Sequence, residues 1–167
     1  MKLLRFIKDK ELPADESTLE IREASRAILF DEHRSIPILF ASNHNFHKLP
    51  GGGIETGESR TVSLVREVME EVGSEIEVTG EVGEIIEYRS QFNLKQTSYC
   101  YLGKITSKGT PSFTEEELSD GFKLEWLSID EAISKVMNDH PTDYEGPFIQ
   151  ERDLLFLETA KQMLHIN

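Results

Sequence analysis

Residues Gly51–Gly73 read GGGIETGESRTVSLVREVMEEVG, and this stretch decides how the whole chain is interpreted. Three consecutive glycines open it, and a helical pattern begins at about Glu58. Four apolar residues then follow at i, i+3, i+4 and i+7: Val65, Val68, Met69 and Val72. That spacing forms one apolar stripe along a helix. The stretch therefore predicts a helix that buries this stripe and stops at Gly73.

Three carboxylates share the opposite face of the predicted helix: Glu67, Glu70 and Glu71. Like charges at this spacing destabilise a helix by about 0.2–0.5 kcal/mol per pair. The helix dipole also disfavours negative charge near the C-terminal end, where Glu70 and Glu71 lie. A solvated acidic face is the simple interpretation. A divalent cation bound to this face would explain why the three carboxylates stand together despite their repulsion, because clustered carboxylate oxygens suit Mg²⁺ or Mn²⁺.

The glycines Gly51, Gly52 and Gly53 form either a flexible turn or a loop whose backbone approaches a ligand closely. The loop lacks the Gly-Lys-Ser/Thr of a P-loop. Gly57 also stands one place too far along for the dinucleotide pattern G-x-G-x-x-G. Both of these nucleotide-binding motifs are therefore excluded.

The chain has 167 residues, the size of one domain, and a formal net charge of −13. This charge disfavours nucleic acid and anionic membranes as partners. Cys100 is the only cysteine, so no internal disulfide forms, and a cytoplasmic location fits. Arg5 and Lys8 interrupt the first apolar residues, which argues against a signal peptide or a membrane anchor.

Strand and helix patterns alternate along the chain, which predicts a mixed sheet with helices packed on it. A polar loop at 9–20 precedes the first expected strand, and a last helix runs from about Pro147 to Ile166 with Phe148, Leu155, Phe156 and Met163 on its buried side. The other expected elements are a hairpin of strands 22–31 and 36–42, paired strands 75–90 and 94–105, an acidic loop 106–121, a strand 122–128 and a helix capped by Ser128.

The spacing of the charged residues resembles the Nudix box, G-x5-E-x7-R-E-U-x-E-E-x-G-U with U a bulky apolar residue. Gly52, Glu58 and the run Arg66–Gly73 fill every fixed glycine and charged position. Only the final apolar position differs, because it holds Ser74. The chain is therefore identified as similar to the Nudix hydrolases of the MutT type.

This resemblance extends over about residues 22–139, and we expect one Nudix domain over 1–167 with an N-terminal lead-in and a C-terminal helix. It implies an α/β/α sandwich around a mixed sheet. It also implies metal-dependent hydrolysis of a nucleoside diphosphate linked to another group. Arg66 would orient carboxylates through an ion pair with Glu58 at the start of the helix. The implied metal ligands, for Mg²⁺ or Mn²⁺, are the Gly51 carbonyl, Glu67, Glu70 and Glu71.

The resemblance leaves open which carboxylate takes the proton of the attacking water. One option is a glutamate of the box, Glu67 or Glu70. The other is the acidic loop, which offers Glu115, Glu116, Glu117 and Asp120, with Glu116 and Glu117 preferred. For the loop, a solvated acidic segment is the competing interpretation.

Four residues are expected at the substrate: Gly52, Gly53, His47 and Tyr88. Tyr88 could stack on a base. Members of this family that hydrolyse ADP-ribose tend to carry a proline some fifteen residues past the box, and this chain has no proline between Pro50 and Pro111, so the resemblance disfavours ADP-ribose as the substrate. We therefore expect a nucleoside triphosphate or a dinucleoside polyphosphate. The alternatives are a nucleoside diphosphate sugar and a non-catalytic nucleotide sensor. The oligomeric state stays open, a homodimer being one option.

Overall fold

The computed structural model describes residues 1–166, with side chains as far as Leu164. Its strands are β1 (Leu3–Lys8), β2 (Glu20–Phe30), β3 (Ile36–Ala41), β4 (Phe46–Lys48), β5 (Ser74–Arg89), β6 (Leu94–Lys108) and β7 (Phe122–Leu127). Its helices are α1 (Arg60–Val72), α2 (Glu115–Ser119), α3 (Ile129–Met137) and α4 (Gly146–Ile166). Single 3₁₀ turns occur at Glu16–Thr18 and Ser90–Phe92.

The strands form a four-stranded sheet in the order β1-β5-β6-β2 and a three-stranded sheet in the order β4-β3-β7. β1 is parallel to β5, β5 is antiparallel to β6, and β2 is parallel to β6. The predicted mixed sheet and the predicted pairing of β5 with β6 are confirmed. The N-terminal lead-in contributes β1, which the sequence analysis did not assign as a strand.

The predicted hairpin between β2 and β3 is wrong. β3 pairs with β4 and β7, whereas β2 pairs with β6 along its whole length. The turn after β2 is built on Asp31, whose carboxylate accepts hydrogen bonds from the backbone N–H groups of His33 and Ser35. The chain leaves this turn in the direction of the second sheet, so nearness in sequence does not become pairing.

Helices cover both faces of the four-stranded sheet, which gives the α/β/α sandwich. The alternation along β2 shows this directly. Ala27 and Leu29 pack in one cluster with residues of α1, whereas Ile28 packs in a second cluster with residues of α3 and α4. The predicted buried side of α4 is confirmed in part. Phe148 and Phe156 are buried, and Leu155 and Met163 are partly buried against the same cluster.

α1 begins and ends where its sequence predicts, but it is rotated about its axis. The Ser59 hydroxyl accepts a hydrogen bond from Val62 N–H, and Gly73 ends the helix with φ 67°. The predicted stripe is wrong at two positions, because Val65 and Met69 are 45% and 43% exposed. The buried apolar residues are Leu64, Val68 and Val72, which pack with Tyr99 and Tyr101 of β6. Leu64 offers a second stripe at i, i+4 and i+8, and this stripe turns Glu71 inward.

The chain after β6 is more ordered than the predicted acidic loop. Residues Glu115–Ser119 form α2, and a capping box between Thr114 and Glu117 begins it. The predicted capping box of α3, between Ser128 and Glu131, is present. Within residues 1–166, no helix is long and apolar enough to cross a membrane.

Candidate active site

The glycine loop follows β4 in the chain and packs between β2 and the start of α1, where hydrogen bonds fix it on both sides. Ser25 N–H donates to the Gly52 carbonyl at 3.0 Å, and the Ser63 hydroxyl donates to the Gly53 carbonyl at 3.0 Å. Gly51 has φ 128°, and a Cβ there would lie 2.1 Å from the Ser25 carbonyl oxygen. Only glycine fits this position, so the loop is a built structure and not a flexible turn.

Arg66 connects the loop to the acidic face of α1. Its Nε and Nη2 donate to the two Glu58 carboxylate oxygens, each at 2.9 Å. Its Nη1 donates to Glu67 at 2.7 Å, and Nη2 also reaches the Gly53 carbonyl at 3.0 Å. The hydrogen bonds from Arg66 lower the pKa of Glu58 to about 2. This is the ion pair that the sequence predicts, and Glu58 lies immediately before the N-cap Ser59, at the start of the helix.

Glu67 and Glu70 present their carboxylates to a cavity of about 590 Å³ beside the loop. A Cβ added at Gly52 would lie 2.4 Å from the Glu67 carboxylate, so that side chain lies directly against the loop. Burial, and then the negative charges of Glu67 and Glu117, raise the pKa of Glu70. Hard oxygen ligands that repel one another in this way fit a divalent cation.

Glu71 also lines the cavity, but its carboxylate is engaged by the protein itself. It is fully buried and accepts hydrogen bonds from Gly51 N–H at 2.6 Å and from Lys48 Nζ at 2.8 Å. Burial raises its pKa, and the Lys48 charge opposes that shift. The Gly51 carbonyl accepts a hydrogen bond from Arg26. Of the four predicted ligands, Glu67 and Glu70 thus fit a metal ion as they stand, whereas Glu71 and Gly51 are paired with cationic side chains.

Across the described residues, no three acidic, histidine or cysteine side chains form a ready-made metal site. The cavity does collect further carboxylates from α2. Glu116 and Glu117 line it, whereas Glu115 does not. Glu117 accepts a hydrogen bond from Thr114 N–H at 2.7 Å as part of its capping box. The Glu116 carboxylate has no hydrogen-bond or ion-pair partner within residues 1–166, so it is the less committed of the two.

Two predicted substrate residues lie outside the cavity lining. The His47 ring is buried, stacks on Phe40 at 4.5 Å between ring centroids and pairs with Asp139 at 2.7 Å. Tyr88 is buried on β5. Both placements follow from strand alternation: Phe46 and Lys48 on β4 and Arg89 on β5 line the cavity, and their neighbours point away.

One cavity residue that the sequence analysis did not assign is His44, which lies in the turn between β3 and β4. Its Nε2 lies 2.9 Å from Asp120, and its Nδ1 lies 2.9 Å from Asp143. The hydrogen bond to Asp120 raises the pKa of His44. This contact ties the turn before β4 to the end of α2.

Cationic residues of the cavity were also missed: Arg22, Arg26, Lys48, Arg89 and Arg152. A sequence signal exists for Arg26, which interrupts the apolar run of β2, whereas Arg152 stands in the polar run 150–153 of α4. A charge inside a segment that is otherwise buried indicates a paired or ligand-facing side chain.

A family model described as the NUDIX domain matches residues 20–147. The chain belongs to the Nudix family. Among its relatives, diphosphoinositol polyphosphate phosphohydrolase 3-beta of Bos taurus is 28% identical over 123 residues, covering 71% of each chain. Membership of this family, together with the Nudix box in the sequence, makes the protein a Nudix pyrophosphohydrolase.

Solved structures share the fold of this Nudix protein at low identity. A Nudix hydrolase from Nitrosomonas europaea superposes with a TM-score of 0.62 at 18% identity, covering 86% of this chain and 90% of that one. An ADP-ribose pyrophosphatase from Streptococcus suis gives a TM-score of 0.52 at 23% identity, covering 83% of this chain and 91% of that one. These likenesses concern the fold alone.

Proposed function

We propose that this Nudix protein hydrolyses a diphosphate linkage in a small phosphorylated molecule, with Mg²⁺ or Mn²⁺ held at Glu67 and Glu70. The observation that carries the proposal is the fixed unit of Glu58, Arg66 and Glu67 beside the cavity. Arg66 holds Glu67 against the loop, and Glu70 lies one helical turn after Arg66 with its carboxylate toward the same space. A bound divalent cation would neutralise phosphate oxygens and lower the pKa of a water molecule.

The residues of the chain supply the remaining steps. Arg66 keeps the Glu67 carboxylate in one orientation through two flanking ion pairs, which lowers the cost of organising the site. The cationic side chains in the cavity lining attract phosphoryl groups locally, so an anionic substrate can bind although the chain carries a net charge of −13. A carboxylate within reach of the attacking water takes its proton. Glu70 of the box and Glu116 of α2 are the two best placed for this role.

The base can be assigned by comparing turnover in Glu70→Gln, Glu116→Ala and Glu117→Ala. If α2 supplies the base, Glu116→Ala should lose far more turnover than Glu117→Ala, whose side chain is occupied by its capping box. Equal and small losses at both α2 positions would return the role to the box. Thermal melts of the three variants separate these losses from unfolding.

Within this reaction, the expected substrate is a nucleoside triphosphate or a dinucleoside polyphosphate. Phe46 and Phe122 line the cavity and offer rings against which a base could pack. Tyr88, which the sequence analysis assigned to this contact, lies outside the lining. A nucleoside diphosphate sugar stays an alternative. A pure nucleotide sensor is disfavoured by the complete box.

A second candidate substrate is a compact, highly phosphorylated molecule that is not a nucleotide. Four arginines and a lysine line the cavity and offer more phosphate-binding groups than a single diphosphate requires, while the carboxylates of the same lining would hold metal ions. The curated relative in Bos taurus carries the name of a diphosphoinositol polyphosphate phosphohydrolase, which agrees with this chemistry.

A metal-supplemented substrate screen tests both candidates. The panel contains ATP, a dinucleoside tetraphosphate, ADP-ribose, UDP-glucose and a diphosphoinositol polyphosphate, with phosphate and pyrophosphate release followed separately. Hydrolysis in isotope-labelled water shows which phosphorus is attacked. Glu70→Gln is the control, since it keeps the shape of the side chain and removes its charge. No turnover of any diphosphate in excess Mg²⁺ or Mn²⁺, or full turnover by the control, would refute the proposal.

A further inference from the structure

We propose that Arg26, Arg89 and Arg152 form a second anion subsite on the floor of the cavity, which takes a phosphoryl group on the part of the substrate away from the cleaved linkage. This assignment rests on the proposed function for the identity of the substrate. The binding of phosphate to the floor does not depend on catalysis, so the two ideas fail separately.

The three arginines converge from distant parts of the chain. Arg26 comes from β2, Arg89 from the end of β5 and Arg152 from α4, and all three line the cavity. Their exposed fractions are 7%, 3% and 1%. Three guanidinium groups buried side by side are costly unless enough negative charge faces them.

One guanidinium group of the floor, that of Arg26, has no carboxylate in direct contact among the described residues. Glu87 accepts hydrogen bonds from Arg89 Nη2 at 3.0 Å and from Arg152 Nη1 at 3.3 Å. Asp153 accepts one from Arg152 Nε at 2.7 Å. Arg26 donates instead to the Gly51 carbonyl, and Glu71, a buried acid whose charge also acts on Arg26, is hydrogen-bonded to Lys48. Glu145 adds a contact to Arg89 at 2.7 Å, but its carboxylate lies at the exposed rim.

The hydrogen bonds of the floor fall short as well. The buried Nε atoms of Arg26 and Arg89 have no hydrogen-bond acceptor among the described residues. Buried donors normally find a partner, and a charged donor without one is especially unfavourable. Burial and the neighbouring Arg152 charge also lower the pKa of Arg26 to about 10. An anion against Arg26 would supply the negative partner that this guanidinium group lacks.

A purely structural role for the arginines, joining β2 and β5 to α4, accounts for fewer of these facts. A structural ion-pair network is stable when each charge is matched and each donor is used. In this network Glu87 is fully used, since it also accepts from Gln96 at 3.0 Å, whereas Arg26 has no carboxylate partner and the Nε atoms of Arg26 and Arg89 have no acceptor among the described residues. A guanidinium group can donate two parallel hydrogen bonds to phosphate oxygens, so a phosphoryl group is the anion best suited to this subsite.

The test measures binding of inorganic phosphate to the full-length protein in EDTA, by calorimetry and by the phosphate-induced rise in melting temperature. Wild type should bind phosphate without metal. Arg89→Gln should bind about tenfold or more weakly, because it removes a charged hydrogen-bond donor. Arg5→Gln is the matched control: it changes the net charge equally at an exposed ion pair with Glu151, away from the cavity.

A second variant, expected to strengthen phosphate binding, keeps the test decisive if Arg89→Gln folds poorly. Glu87→Gln keeps the size of the side chain and an oxygen acceptor, and it removes one buried negative charge. It should tighten phosphate binding about tenfold, whereas a structural network would show only lost stability. No phosphate binding by wild type, or the same affinity in Arg5→Gln, Arg89→Gln and Glu87→Gln, overturns the subsite. Retained phosphate binding in the inactive Glu70→Gln separates the subsite from catalysis.

Discussion

Gly52→Ala should switch off the enzyme without unfolding it. A Cβ at this position would lie 2.4 Å from the Cδ and both oxygens of Glu67, whereas ordinary contacts begin at 3.4 Å. The Glu67 carboxylate must therefore move by about 1 Å, the difference between those two distances. That displacement breaks the 2.7 Å contact with Arg66 and moves the carboxylate from its place in the proposed metal site.

A misplacement of this size can cost about a hundredfold in rate, which corresponds to roughly 2.7 kcal/mol of transition-state stabilisation. Gly52 does not adopt a left-handed backbone conformation, so alanine adds no backbone strain. Its melting temperature should stay level or rise slightly, because alanine restricts the unfolded chain. The assay measures kcat/KM in Mg²⁺, Mn²⁺ affinity by titration, and the thermal melt of the same samples.

Gly57→Ala is the control, because its expected effects are the reverse. Gly57 has φ 87° and open space around the added Cβ, so alanine there costs about 1–2 kcal/mol of stability and touches nothing in the cavity. Activity per folded molecule should persist. The reasoning is refuted if Gly52→Ala keeps wild-type kcat/KM, or if it melts early in the manner of Gly57→Ala.

Other substitutions separate catalysis from stability. Glu70→Gln should abolish metal-dependent turnover without lowering the melting temperature. Glu71→Gln should also lower the free energy of unfolding by roughly 3 kcal/mol, measured in denaturant, because it leaves Lys48 without its buried partner. Equal stability of the two variants would contradict this. The pKa of His44 is raised above 6.5 by its hydrogen bond to an aspartate. Its stabilising contribution is thus complete below pH 6.5 and is lost as pH rises through the raised pKa. Thermal melts across pH should show that the difference in melting temperature between wild type and His44→Asn shrinks as pH rises. A difference that does not change with pH would contradict this. Tyr88→Ala should destabilise the fold by about 3 kcal/mol, while Tyr88→Phe keeps KM; a raised KM in Tyr88→Phe would return the side chain to the substrate.

The local features of the site could be read from the sequence because they depend on neighbours along the chain. Ser59 and Gly73 fix the two ends of α1 through hydrogen bonds and backbone conformation within one turn. Arg66 reaches Glu58 because the seven residues between them, the N-cap and the first turns of α1, bring the two side chains together on one side. Fixed spacing of this kind is visible in the printed letters, and so the Nudix box, its carboxylates and the mixed α/β architecture were predictable.

The rotation of α1 and the partner of β3 required the tertiary structure. Leu64 and Met69 each complete an apolar stripe with Val68 and Val72, and helical periodicity alone does not choose between them. In the structure, Leu64 packs against Tyr99 and Tyr101. This rotation of the helix leaves Val65 exposed and places Glu71 beside Lys48. Pairing between strands is likewise decided by which hydrogen-bonding edges meet, which a turn sequence does not specify.

The sequence by itself determined the family, and with it the reaction class, because the Nudix box is one continuous run whose spacing fixes its local geometry. Only the tertiary structure decided the shape and charge of the rest of the cavity. Arg26, Arg89 and Arg152 stand far apart in the chain, and nothing in their own segments relates them to one another. Their convergence is set by long-range packing of β2, β5 and α4, a property of the whole core that no local pattern encodes.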